Sequence, residues 1–174
     1  MYFLYLANHD VRDIWEQPTA VRYIDAAGRS QVHFPDCLLK LGNGRRLLLA
    51  IKPWKKVIES GFLCELRQIR AALRKDFADD LVLVTDRDFT RDEALNAQRY
   101  LEFSRSRNAA HQNKLLSIVE SLCSPITLGS LSQMLDLEGD GFRAIVIAIY
   151  EKVLIADKTQ LLGTESIVAR GGMI

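Results

Sequence analysis

The sequence predicts an α/β fold, a mixed sheet flanked by helices, followed by a smaller and mainly helical module. Three observations lead there. Two apolar runs, V-H-F-P-D-C-L-L-K-L and L-L-L-A-I-K, flank Gly42-Asn43-Gly44, and Asn-Gly is a strong hairpin signal because both residues tolerate positive φ. The second run and L-V-L-V-T (81–85) enclose a stretch of helical periodicity, the strand–helix–strand order of a right-handed crossover between parallel strands. Beyond residue 107 the pattern changes to short amphipathic helices.

Taken in order, Tyr2 to Ala7 reads as the end of a buried helix or a short apolar segment. Val11 to Gln17 alternates imperfectly and predicts an edge strand, closed by Pro18, which cannot donate to a ladder. Val21 to Asp25 is a strand, Ala26 to Arg29 a turn, and Gln31 to Leu41 the next strand. Leu47 to Lys52 is apolar throughout until its lysine, as a central strand covered on both faces should be. Pro53 ends it. A helix follows over residues 55–77, with Val57, Phe62, Leu66, Ile69 and Leu73 on one face. After the buried parallel strand Leu81 to Thr85, Thr90 or Asp92 caps a helix that runs to Arg105, with Glu93 suggesting a capping box.

Ser104 to Asn108 reads as a linker, dividing the chain into 1–107 and 108–174. In the second part, helices are expected over 111–123, 127–135 (Leu128, Leu131 and Leu135 inward) and 142–152, with a turn at Glu138 to Gly141. Val153 to Asp157 and Ser166 to Arg170 complete a two-stranded wing, giving a winged helix-turn-helix module. Its third helix offers only Arg143 and Lys152 as cations, beside Glu138, Asp140 and Glu151, which argues for docking a protein over reading bases. The aliphatic run Ile145, Val146, Ile147 and Ile149 exceeds what a core face needs and suggests a partner surface.

With 48% hydrophobic and 26% charged residues in 174, the composition is that of a folded globular protein. The opening M-Y-F-L-Y-L-A is short and has no basic leader, so neither a secretion signal nor a membrane span is expected. Three widely spaced cysteines, Cys37, Cys64 and Cys123, fit reduced thiols and a cytoplasmic location. Net charge is only +1, yet residues 40–75 carry ten Lys or Arg against two acids, and residues 111–174 carry five against seven. A positive field over the first part suits a polyanion, although Arg67, Arg70, Arg74 and Lys75 also read as the solvated face of a helix.

The hairpin brings Asp36 near Lys52, a carboxylate and an ammonium at the edge of an apolar sheet. Such a pair suits phosphodiester cleavage, the carboxylate holding a divalent metal and the lysine stabilising charge on the phosphate. It also reads as a structural salt bridge. The backbone carbonyl of Ile51 is a second candidate metal ligand, and Arg45, Lys55 and Lys56 are candidates for holding DNA phosphates. Trp54 with Lys55 and Lys56 is either a phosphate-facing rim or packing. His33 reads as a partly buried side chain in preference to a base, and Gln17 as a group bonding backbone near Pro18.

Pro35-Asp36 followed by Ala50-Ile51-Lys52 resembles the PD-(D/E)xK nuclease pattern, with Ala50 in place of the second acid. The wider order, V-R-D-I-W-E-Q-P, then Y-I-D-A-A-G, F-P-D and A-I-K-P, resembles the TnsA-type endonucleases of heteromeric transposons over residues 4–84. That resemblance implies a restriction-endonuclease-like core with a winged-helix tail. It implies DNA cleavage in transposition with Mg²⁺ or Mn²⁺, beside a DDE-type transposase subunit and a regulatory ATPase. Asp36 matches the family's metal-binding aspartate and Lys52 its catalytic lysine. The resemblance places the family's metal-ligating Glu upstream of the position matched by Val11; either the start is truncated, or Glu16 substitutes, or the fold persists without full catalysis. The alternative is a degenerate nuclease fold that binds DNA or a protein without cleaving.

Overall fold

The structure is a computed structural model, and it describes residues 2–172. Contacts divide the chain into two compact units, residues 8–89 and residues 2–7 with 90–172. The division falls at Phe89/Thr90 and not at residue 107. The reason is visible in packing: Tyr100 and Phe103 of the helix Arg91–Arg105 belong to the apolar core of the C-terminal unit.

The first unit is built on a mixed four-stranded sheet, β1 (Val11–Glu16), β4 (Cys37–Leu41), β5 (Arg46–Ile51) and β6 (Asp80–Val84), in the order β1-β4-β5-β6. The first three are antiparallel neighbours, and β6 adds parallel to β5. β1 is an edge strand and β5 central, as their patterns predicted; the second parallel strand, β6, lies at the other edge. The run 31–41 is not one strand. Phe34-Pro35-Asp36 interrupts it, so that β2 (Val21–Ile24) and β3 (Ser30–His33) form a separate hairpin. Pro35 lacks the N–H that a continuous ladder requires.

The single helix expected over 55–77 is two, α2 (Trp54–Ser60) and α3 (Phe62–Ala72). Gly61 stands between them at φ +65, and its N–H bonds back to Ile58 and Val57, an αL terminus for the first helix. Helix α3 buries Phe62, Leu66 and Ile69 against Leu48, Ala50 and Leu81 of the sheet and against Val21 and Tyr23 of the hairpin. In the β4–β5 turn only Gly44 takes positive φ, at +85, while the Asn43 side chain accepts from the Arg45 N–H at 3.0 Å.

The C-terminal unit carries α1 (Tyr2–Leu6), α4 (Arg91–Arg105), α5 (Ala109–Glu120), β7 (Ile126–Thr127), α6 (Leu128–Leu135), α7 (Gly139–Tyr150), β8 (Leu154–Ala156) and β9 (Ile167–Arg170). Thr90 and Glu93 form the reciprocal capping box at the start of α4. Two differences from expectation stand out. The Glu138–Gly141 turn is the first turn of α7, and a third strand, β7, joins the small sheet in the order β7-β9-β8.

The core of this unit answers the question of the aliphatic run. Ile145, Val146, Ile147 and Ile149 are all at most 2% exposed, so they face the interior and not a partner. Helix α1, by contrast, buries none of its residues. Among the described residues, no helix is long and apolar enough to cross a membrane.

Candidate active site

Asp36 leads into β4 and Lys52 follows β5. Because these strands are antiparallel neighbours, both residues stand at the open end of the hairpin, away from its turn. The Asp36 N–H donates to the Leu49 carbonyl at 2.8 Å, and its Oδ2 accepts from the Ile51 N–H at 2.6 Å. The carboxylate is therefore fixed on the backbone one residue before Lys52. A hydrogen bond from a backbone N–H to an ionised acceptor is short and strong, which accounts for a half-buried carboxylate at this point.

Lys52 does not pair with it. No ion pair joins the two among the described residues; the Lys52 Nζ lies 4.3 Å from the centroid of the Phe62 ring. Phe62 is fully buried and opens α3, just after the left-handed Gly61. The ring holds a cation by its quadrupole without neutralising it, a contact worth about 0.5–2 kcal/mol. The salt-bridge reading of Asp36 and Lys52 is thus replaced by two separate anchors.

His33 shares that ring, its imidazole centroid 5.7 Å from Phe62. It is 9% exposed, and its Nε2 has no hydrogen-bond partner among the described residues. Burial pushes its pKa below the ordinary 6.5, with Glu65 and Asp36 opposing and Lys52 assisting. An uncharged imidazole is the state that burial favours. Glu65, on α3, accepts a 2.7 Å hydrogen bond from the Tyr23 hydroxyl, whose pKa burial and this bond push up to about 12.

Of the remaining expected residues, most stand near the same end of the sheet and one does not. Glu16 ends β1, paired in register with Cys37, and is exposed. Gln17 sits at φ +47, where its backbone N–H donates to the Asp36 carbonyl at 3.1 Å. Lys55 and Lys56 are exposed on α2, close in sequence to Lys52, with Lys55 3.8 Å from Glu59. Arg45 sits in the turn at the opposite end of β5, about 20 Å from Lys52 at the usual strand rise. Arg70, Arg74 and Lys75 are also tied down, to Asp80, Asp76 and the Asp79 carbonyl respectively.

For a divalent cation, Ala50 offers nothing. It is fully buried in the core with Leu48 and Phe62, so apolar packing closes the position that the nuclease pattern fills with an acid. Among the described residues no three His, Cys, Asp or Glu side chains gather closely enough to hold a metal. The second oxygen of Asp36 and the Ile51 carbonyl remain, a set that fits an ion held sparsely and completed by water and phosphate.

Phe62, His33 and Glu65 were not assigned to the site from sequence, because their approach depends on how α3 crosses the sheet. Asp86 and Arg87 are a further omission. They follow β6 next to the β5 end, where the Asp86 carboxylate accepts from the Trp54 N–H at 2.6 Å. Compared with known proteins, the chain matches no family model and no curated protein.

Proposed function

We propose that the chain is a TnsA-like, metal-dependent DNA endonuclease with a restriction-endonuclease-like core, acting in transposition or a related mobile-element process. One observation carries the reading: Asp36 is bonded to the backbone beside Lys52 at the open end of a central hairpin, while the lysine has no ion pair among the described residues. Asp36 and the Ile51 carbonyl would hold Mg²⁺ or Mn²⁺, which when bound would supply Lewis acidity at the phosphate and lower the pKa of a water. The Lys52 ammonium stabilises negative charge as it develops on the phosphoryl oxygens. Lys55 and Lys56 contact the DNA backbone, and Glu16, paired in register with Cys37 next to Asp36, is the candidate second carboxylate.

The C-terminal unit supports a winged-helix reading through its order of helices and its sheet β7-β9-β8. Its α7 cation Arg143 leans on Asp140 and on the Phe103 ring, which leaves little charge for DNA. Docking to a DDE-type transposase subunit or a regulatory ATPase in the cytoplasm is the role proposed for it.

A second reading, a nuclease fold that binds without cleaving, is favoured by the burial of Ala50. Supercoiled plasmid incubated with Mg²⁺ or Mn²⁺ separates the two. Nicking or linearisation by the wild type, lost in Asp36→Ala and in Lys52→Ala, supports the endonuclease. Salt-sensitive DNA binding without cleavage, unchanged by Asp36→Ala, supports the second reading.

A further inference from the structure

We propose that Arg87, lying on Trp54, is a preformed DNA-phosphate contact next to Lys52; the inference rests on the nucleic-acid reading of this site. The Arg87 guanidinium carbon is 4.7 Å from the centroid of the Trp54 ring. Arg87 is exposed, and no carboxylate pairs with it among the described residues. Two acids flank it in sequence, both exposed and each accepting from backbone N–H groups; the Trp54 N–H and, after it, the Arg87 charge help hold the Asp86 carboxyl below the usual carboxylate range, without an ion pair between Asp86 and Arg87 among the described residues. Asp86 accepts from the Trp54 N–H at 2.6 Å, and Asp88 accepts from the Thr85 N–H and hydroxyl at 2.6 and 2.9 Å. The Arg87 N–H itself donates to the Thr85 hydroxyl oxygen at 3.2 Å. A short, fully hydrogen-bonded turn thus presents one guanidinium outward.

Its place matters as much as its charge. β5 and β6 are parallel, with Ile51 opposite Val84, and the Lys52 N–H donates to the Val84 carbonyl at 3.0 Å. Trp54 comes two residues after Lys52, and Arg87 three after Val84, so both side chains leave the sheet at the end where Lys52 emerges. Contact with the indole restrains the guanidinium, and no side-chain hydrogen bond of Arg87 is seen among the described residues. The N–H edge of a guanidinium matches the oxygens of a phosphodiester, and little rotamer freedom is lost on binding. A lysine has neither the plane nor the fork.

The test is binding of a labelled short DNA duplex without divalent metal, followed by fluorescence anisotropy across a salt series. The proteins are the full chain, Arg87→Ala, Arg87→Lys and Lys52→Ala, each checked for an unchanged thermal midpoint. Arg87→Ala should bind about tenfold more weakly at low salt, with the slope of log K against log salt smaller by about 1. Arg87→Lys should keep the wild-type slope at an intermediate affinity. If Lys52→Ala weakens binding while Arg87→Ala matches the wild type, this inference is overturned and the site reading stands. Loss of affinity in Arg87→Ala with an unchanged salt slope also overturns the phosphate contact. If the full chain shows no salt-dependent DNA binding, both fall.

Discussion

The two units treat their cations and buried polar groups differently. In the C-terminal unit several of them are engaged in holding the fold, although the buried Tyr100 hydroxyl has no hydrogen-bond partner among the described residues and Lys158 lies over the Tyr100 ring. Asn96, 1% exposed, donates to the carbonyls of Lys158 and Gln160 and accepts from the Leu162 N–H. Gln112 donates to the Ala144 carbonyl, Arg99 to the Leu162 carbonyl, and Arg107 pairs with Glu151. At the β5–β6 end of the first unit, Lys52 and Arg87 rest on aromatic rings with no ion pair among the described residues, and His33 Nε2 has no hydrogen-bond partner among them. A ring orients a cation but leaves its charge available. The lesson is that the charges of a site are better found by asking which cations lack a carboxylate than by counting basic residues, since Arg70, Arg74 and Lys75 are tied down.

That contrast can be broken at several points. The largest effect expected is from Phe62→Ala, which removes a fully buried ring from the first unit's core together with the seat of Lys52. It should cost about 4 kcal/mol in chemical denaturation; a loss below about 1 kcal/mol would mean that the ring is not the keystone described. Asn96→Ala should cost about 3 kcal/mol, because two carbonyls and one N–H lose their partner in a buried place. If Asn96→Ala is as stable as the wild type, the claim that this unit's polar groups hold its fold fails.

A smaller effect is read in acid. Burial lowers the folded pKa of His33 from 6.5, so below that pH the unfolded chain binds more protons than the folded one. Stability should therefore fall as pH drops through about 6.5 and go on falling to the folded value, and His33→Leu should flatten that limb. An unaltered acid limb in His33→Leu would show that the imidazole is not desolvated. The smallest effect on stability is expected from Lys52→Met, within about 0.5 kcal/mol of the wild type because no ion pair is lost. The same variant should lose DNA affinity. Stability lost without any change in DNA binding would reverse the contrast.

How much of this was legible in the sequence depends on how local each cause is. The Thr90–Glu93 capping box was readable because its partners are three residues apart. The hairpin signal placed Asp36 and Lys52 at one end, and the same geometry already put Arg45 at the other, an implication that the charge count obscured. Gly61 carried the signal for a helix end, yet the apolar periodicity continues across it, so the break was missed. The aliphatic run of α7 misled for a different reason. Surrounded by α4, α5, α6 and β8, that helix is covered on nearly all sides, and amphipathic patterning no longer marks a free face. Phe62, Arg87 and the orphaned His33 nitrogen depend on chain crossings far apart in sequence, for which no local pattern exists.

The measurement that bears most directly on the central claim is calorimetric titration of Mn²⁺ into the wild type and into Asp36→Ala. It reads the proposed site without requiring a partner or turnover. Micromolar binding by the wild type, absent in Asp36→Ala, is the predicted result. Equal binding by both proteins, or none by either, would contradict the assignment of Asp36 as a metal ligand and leave the sheet end as a binding surface alone.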